Sequence, residues 1–191
     1  MNINGIEIER KYLIAMPDAA FLDNCERSEI TQTYLRGDAY TTERVRKRVR
    51  GDTCEYTHTL KRKLNNMRRI EDEHVIGEEE YKRLLERADP ARNTILKTRH
   101  CFEYDGRLWE LDVFSFWDDR AFLEIELTDE GDAVTLPPEI RLIREVTDDP
   151  LYTNAALSLE IPQEDMIAVS LAPLTGQPRN MAKLLPNKFK N

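Results

Sequence analysis

The stretch Ile6-Glu7-Ile8-Glu9-Arg10-Lys11-Tyr12-Leu13-Ile14 alternates in character with a period of two. That is the spacing at which successive strand side chains point to opposite faces. Read as a strand, it gathers Glu7, Glu9 and Lys11 on one face and Ile6, Ile8, Tyr12 and Ile14 on the other. Leu123-Glu124-Ile125-Glu126-Leu127 repeats the pattern far along the chain. Between them the same parity recurs. Residues 42–50 place Arg44, Arg46, Arg48 and Arg50 together, opposite Val45 and Val49. Residues 55–63 place Thr57, Thr59 and Lys61 on one face, and 69–76 do so for Glu71 and Glu73. Lys97 and Arg99 share a face in 95–104, as Glu110 and Asp112 do in 107–114. With 31–36 and 121–127 the chain holds eight expected strands. Gly51-Asp52 marks one turn, and Asp105-Gly106 between two alternating runs marks a hairpin.

Helical spacing is confined to short pieces. Pro17 precedes one over 18–25. Gly77 precedes a second, with Tyr81, Leu84, Leu85 and Ala88 as its apolar positions and Glu78, Glu79 and Glu80 in its first turn, where acidic residues suit the helix dipole. A third is expected over 152–159. Leu136-Pro137-Pro138 reads as a loop. The fold class expected is therefore mainly β with flanking helices (α+β): an eight-stranded antiparallel closed barrel with helices outside. Eight strands leave an interior just wide enough for side chains or one small ligand. The unit spans 1–161. Residues 162–191, rich in Pro, Gly, Asn and Lys around a short apolar stretch from Met166 to Leu171, form an extension.

A lone Glu-x-Glu on a strand is usually a solvated face. Four such pairs are not so easily dismissed: Glu7/Glu9, Glu71/Glu73, Glu110/Asp112 and Glu124/Glu126. Inside a barrel they meet the cationic faces, and an interior charge is costly unless it is paired or binds something. Clustered carboxylates call for a hard divalent cation, Mg²⁺ or Mn²⁺. The Lys and Arg faces call for a polyanion such as phosphate. Arg46, in mid-strand, is the best inward ligand, while Arg50 beside the turn belongs at the rim. His58, His74 and His100 fall on the opposite parity and read as packing or surface residues.

Other functional classes find no support. There is no phosphate-binding glycine loop or dinucleotide fingerprint. The three cysteines, Cys25, Cys54 and Cys101, form no Cys-x-x-Cys pair; a reduced, cytoplasmic protein is expected. A net charge of −8 argues against general nucleic-acid binding, an RNA 5′ end excepted. No apolar run is long enough for a membrane span, and the N-terminus enters a charged strand without a signal-peptide pattern.

Taken in order, these residues resemble the CYTH superfamily, the triphosphate tunnel metalloenzymes. The resemblance rests on the Glu-x-Glu-x-Lys motif at Glu7, Glu9 and Lys11, then Gln32 and Tyr34, the alternating arginines and Thr59-Leu60-Lys61. It continues through Glu71 and Glu73, Lys97-Thr98-Arg99, Glu110-Leu111-Asp112, Glu124-Ile125-Glu126, Thr147-Asp148-Asp149 and Tyr152-Thr153-Asn154. It covers about residues 3–160 and is nearest the short bacterial inorganic triphosphatases. It implies a tunnel for a triphosphate or polyphosphate with Mg²⁺ or Mn²⁺. Lys11, Arg44, Arg46, Arg48, Lys61, Lys97, Arg99 and Tyr34 would hold the phosphates, the arginine register being either Arg44/Arg46 or Arg46/Arg48. Glu7, Glu9, Glu124 and Glu126 would hold metal. Glu71, Glu73, Glu110 and Asp112 would be further metal or water-orienting carboxylates. Glu7, Glu9, Lys11, Lys97, Arg99, Glu110 and Asp112 would form the catalytic set. Ala155 stands where similar proteins often carry a lysine. The activity implied is hydrolysis of inorganic triphosphate. Nucleoside, thiamine or RNA 5′-triphosphate hydrolysis, adenylate cyclisation and non-catalytic polyphosphate or nucleotide sensing are the alternatives, and a homodimer is compatible with all of them.

Overall fold

The alternation around Lys11 becomes strand β1 (Ile8–Ala15) in a computed structural model that describes residues 8–37, 41–63 and 69–162, with backbone alone for 62, 63 and 69–71. In chain order there follow α1 (Ala19–Asp23), β2 (Glu26–Tyr34), β3 (Thr41–Arg50), β4 (Thr53–Lys63), β5 (Arg69–Ile76), α2 (Glu78–Leu85), β6 (Ile95–Tyr104), β7 (Arg107–Phe114), β8 (Arg120–Leu127), β9 (Leu142–Glu145), a 3-10 turn at Pro150–Tyr152 and α3 (Asn154–Leu157). Glu7 and residues 163–191 lie outside the described residues, so the expectations placed on them are not addressed by the structure.

All strand pairs are antiparallel and form one sheet in the order β5-β4-β3-β2-β6-β7-β8-β1-β9. The expected antiparallel sheet is present, with the count of strands corrected: a ninth strand exists, and the described sheet is not closed by hydrogen bonds. β1 pairs with β8 along its whole length and, over Tyr12–Ile14, with β9 on its other side. The turns are as expected. Asp105 and Gly106 both have positive φ, 52° and 69°, as a two-residue hairpin turn matched to the strand twist requires.

Packing distinguishes the two faces. On one, Tyr12, Ile14, Trp109, Leu111, Leu123, Ile125 and Leu127 form a core covered by Phe21 and Leu22 of the α1 region and by Val134, Leu136 and Ile140 of the loop after β8. Asp18 caps α1 by accepting from the Phe21 amide at 2.8 Å. Further along, α2 lays Tyr81 and Leu84 on Leu35, Val45 and Ile76.

The other face is divided. Part of it carries the charges. The rest is an aromatic cap of Leu13, Tyr34, Ile95, Phe114, Trp117, Phe122, Val146, Tyr152 and Leu157. Leu13 and Phe122 share the parity of Lys11 and Glu124, so the charged face ends on apolar residues of the same strands. The 3-10 turn and α3, which replace the single helix expected over 152–159, supply Tyr152 and Leu157 to this cap. Phe114 meets Phe122 edge-on at 5.3 Å and Trp117 at 5.5 Å between ring centroids. Phe114→Ala should therefore destabilise the protein by about 3–5 kcal/mol in equilibrium denaturation. A loss below about 1 kcal/mol would show that the cap is not a packed core.

Candidate functional site

Among the described residues, strand register assembles the site. Arg99 of β6 stands opposite Asp112 of β7. Glu110 stands opposite Glu124 of β8, and Glu124 opposite Lys11 of β1. At the other side of the sheet Arg46 of β3 lies between Gln32 of β2 and Thr57 of β4. All these positions share the face expected from parity.

The β6–β1 half is a dense ionic lattice. Asp112, fully buried, accepts from Lys97 Nζ and from Arg99, whose Nε and Nη2 reach its two oxygens at 2.7 Å each. Arg99 also donates to Glu110 and, at 3.1 Å, to Glu124 Oε2. Lys11 Nζ meets Glu124 Oε1 at 2.9 Å, and lies 4.1 Å from the centre of the Phe122 ring. Burial by itself would raise the Asp112 and Glu124 carboxyls. The cations beside them, Lys97 and Arg99 for Asp112 and Lys11 foremost for Glu124, hold both below the ordinary range. For Arg99 burial works against the charge, but Asp112, Glu124 and Glu110 together keep it firmly protonated. Lys97 is different. Burial outweighs Asp112, and its ammonium is pushed down to about 8.

The β2–β4 half is built mainly with neutral partners, Glu73 being the charged exception. Arg44 donates to Thr59 Oγ1 at 3.2 Å, to Gln32 Oε1 at 3.3 Å and to Glu73 Oε2 at 3.5 Å. Thr59 donates to Glu73 at 2.5 Å. Gln32 Nε2 donates to the Tyr34 hydroxyl at 2.9 Å. Arg48 Nε donates to Ser28 at 3.1 Å. Arg46 Nε is buried and has no hydrogen-bond partner among the described residues. Burial lowers the Arg46 pKa, and Arg44 lowers it further, while Glu73 and Asp112 act to retain the proton.

Of the residues expected in the site, Lys11, Arg44, Arg46, Arg48, Lys97, Arg99, Glu110, Asp112, Glu124 and Tyr34 are brought to one face. All three arginines of the ladder lie on this face, and Arg50 pairs at the rim with Glu26 at 2.8 Å. Glu73 is bound to Thr59 and Arg44, and the backbone of Glu71 pairs with Lys61 of β4; the Glu71 side chain lies outside the described residues. Glu9 and Glu126 stand opposite each other across β1 and β8 and are exposed. His58, His74 and His100 lie off this face as expected: His58 contacts Glu43 at 2.9 Å and stacks edge-on against His74. Ser28, Gln32, Thr57 and Thr59 were not expected among the site residues. Their parity marks them, but polar uncharged side chains on strands carry no charge signal.

Divalent metal is the group the resemblance implies. Among the described residues no three His, Cys, Asp or Glu side chains are grouped as a metal would need. Asp112 and Glu124 are engaged at both oxygens by cations. Glu9 and Glu126 are exposed carboxylates directly opposed on β1 and β8 that a cation could reach, with Glu7 two residues before Glu9 in the sequence.

No family model matches the chain. Two curated relatives are inorganic triphosphatases. That of Nitrosomonas europaea is 33% identical over 159 residues, 82% of this chain and 99% of its own length. That of Acetivibrio thermocellus is 32% identical over 154 residues, 80% of this chain and 93% of its own length. A solved structure of the inorganic triphosphatase NE1496 covers 82% of this chain and 97% of its own, at 33% identity and a TM-score of 0.56. Among the described residues no helix is long and apolar enough to cross a membrane. Identity spread over four-fifths of this chain and nearly the whole of the relatives, on a sheet whose charged face has the expected order, places the chain in the inorganic triphosphatase family of CYTH-type proteins.

Proposed function

We propose that the protein hydrolyses inorganic triphosphate to pyrophosphate and phosphate with a divalent cation, the charged face curling into a tunnel around the substrate. The observation that carries this reading is the division of the face: Glu110, Asp112 and Glu124 are already matched by cations, while the arginine ladder opposite them keeps a buried Nε unused. A triphosphate brings about four negative charges, and bidentate or forked arginine contacts suit its oxygens. Arg44, Arg46 and Arg48 would receive it from one wall, with Lys61 beside them, and Lys97 and Lys11 from the other. Arg99 would chiefly hold Glu110, Asp112 and Glu124 in place. Glu9 and Glu126, with Glu7, would hold Mg²⁺ or Mn²⁺, which when bound supplies charge neutralisation at phosphate oxygens.

Glu110 is the carboxylate best suited to orient an attacking water, since its side chain is one-third exposed where that of Asp112 is sealed. Water adds to a terminal phosphorus, the anhydride P–O bond breaks, and the charge gained by the departing pyrophosphate falls among the arginines. No side chain need form a covalent intermediate. The expected assay result is phosphate release from inorganic triphosphate with Mg²⁺ or Mn²⁺ and its loss on chelation. Undiminished turnover after exhaustive chelation would remove the metal from the mechanism, and no turnover of triphosphate under any of these conditions would remove the function.

The two halves of the face should respond differently to substitution. Arg46→Ala should leave the fold intact and weaken triphosphate binding by roughly 1.5–3 kcal/mol, a charge-assisted contact. Asp112→Asn should instead destabilise the ligand-free protein by about 3–5 kcal/mol, because it strips the counter-ion from two buried cations. Calorimetry and binding on both variants check this; equal loss of stability in the two would contradict the division.

Lys97 also has a pH signature. Between about pH 8 and the ordinary lysine value of 10.5 the unfolded chain binds a proton that the folded chain has released. Stability therefore gains a contribution from Lys97 as pH rises through that window. The difference in unfolding free energy between wild type and Lys97→Met should slope upward there. A flat difference would mean that the ammonium titrates normally.

A further inference from the structure

Two side-chain atoms on the charged face of the sheet strands are buried without a hydrogen-bond partner among the described residues, Arg46 Nε and Thr57 Oγ1. They belong to residues directly opposite each other on β3 and β4. The polar side chains beside them are bonded elsewhere; Glu73, which acts on Arg46 through its charge, takes hydrogen bonds from Thr59 and Arg44. Gln32, on the other side of Arg46, gives its oxygen to Arg44 and its amide to Tyr34. Thr59, two residues along β4, donates to Glu73 and accepts from Arg44. The remaining cross-strand neighbour of Thr57 is Val75.

Thr57 is only 7% exposed. A valine of the same shape would fit a strand at least as well, and a buried hydroxyl without a partner is unfavourable. Among the described residues the hydroxyl has no partner. Adjacent orphan donors, one of them on a guanidinium, match a single anionic oxygen.

We infer that Thr57 is a substrate-contacting residue: its hydroxyl and Arg46 Nε–H donate together to one phosphoryl oxygen of the triphosphate. The inference rests on the triphosphate reading above and adds a residue to it. The contact is to the triphosphate chain and not to a substituent on it, so it acts on every triphosphate the tunnel admits.

The test compares Thr57→Val and Thr57→Ser with wild type in steady-state hydrolysis of inorganic triphosphate, and in melting temperature without ligand and with triphosphate in chelator. Thr57→Val should raise KM about tenfold or more, a hydrogen bond to a charged partner. It should reduce the melting shift given by triphosphate and leave the ligand-free melting temperature equal to or above that of wild type. Thr57→Ser should restore KM to near the wild-type value. If wild type turns over triphosphate and Thr57→Val matches it in KM, the assignment of Thr57 is overturned and the triphosphatase reading stands. A ligand-free protein destabilised by Thr57→Val but not by Thr57→Ser would show that the hydroxyl has a structural partner, which also overturns it. If wild type neither binds nor hydrolyses triphosphate, both fall.

Discussion

A buried carboxylate, Asp112, holds the ionic half of the molecule together. It takes Lys97 and both forks of Arg99 while sealed from solvent, and through Arg99 it is linked to Glu110 and Glu124 and so to Lys11. Taking such charges from water costs several kcal/mol per ion, and only close pairing with good hydrogen-bond geometry offsets it. The lattice therefore forms as a unit. That explains why it lies on regular strands: cross-strand register at β6, β7, β8 and β1 fixes which charge meets which, with no loop to adjust. A one-residue slip of any of these strands would carry its charges into the apolar core on the opposite face.

The remainder of the face follows from this. Since Glu110, Asp112 and Glu124 are already matched by Lys11, Lys97 and Arg99, they add little net negative field across the sheet. The ladder of β3 is left as the cationic wall, held mainly by neutral partners: Ser28, Gln32 and Thr59. Neutral hydrogen bonds orient a guanidinium without discharging it. An arginine so held is ready to meet an anion, whereas Arg99, surrounded by three carboxylates, serves the structure of the site.

Strand parity made most of this legible in the sequence, because the covered core on one face and charge on the other give each of β1, β3, β7 and β8 a strong alternation. Where one of those conditions fails, the signal fades. β2 begins at Glu26, five residues before its alternation becomes evident, because Arg27 and Glu29 on its outer side face solvent. β9 has four residues and a register irregularity against Leu13 and Ile14, so Leu142-Ile143-Arg144-Glu145 shows no period at all. Thr57 is placed on the face by parity and Gln32 by resemblance, but the part each plays, like that of Ser28, is a hydrogen bond made or left unmade, and that depends on partners from other strands.

The aromatic cap turns a charged face into a closed-ended one. Lys11 sits over Phe122, Lys97 lies 5.6 Å from the centre of Phe114, and Arg92 lies 5.3 Å from the centre of Tyr34. Cations at this boundary meet the negative face of a ring on the apolar side, a contact that strengthens when water is excluded. Arg92 adds a second tie, donating to the Ala155 carbonyl and the Ser158 hydroxyl and so fastening α3 over the cap. The low dielectric of the cap strengthens each ion pair beside it, and the same low dielectric lowers the Lys97 pKa. Lys97, whose charge burial weakens, thus lies where the lattice meets the cap. A polyanion arriving there would restore the field that favours its proton, which couples substrate charge to the protonation of the site.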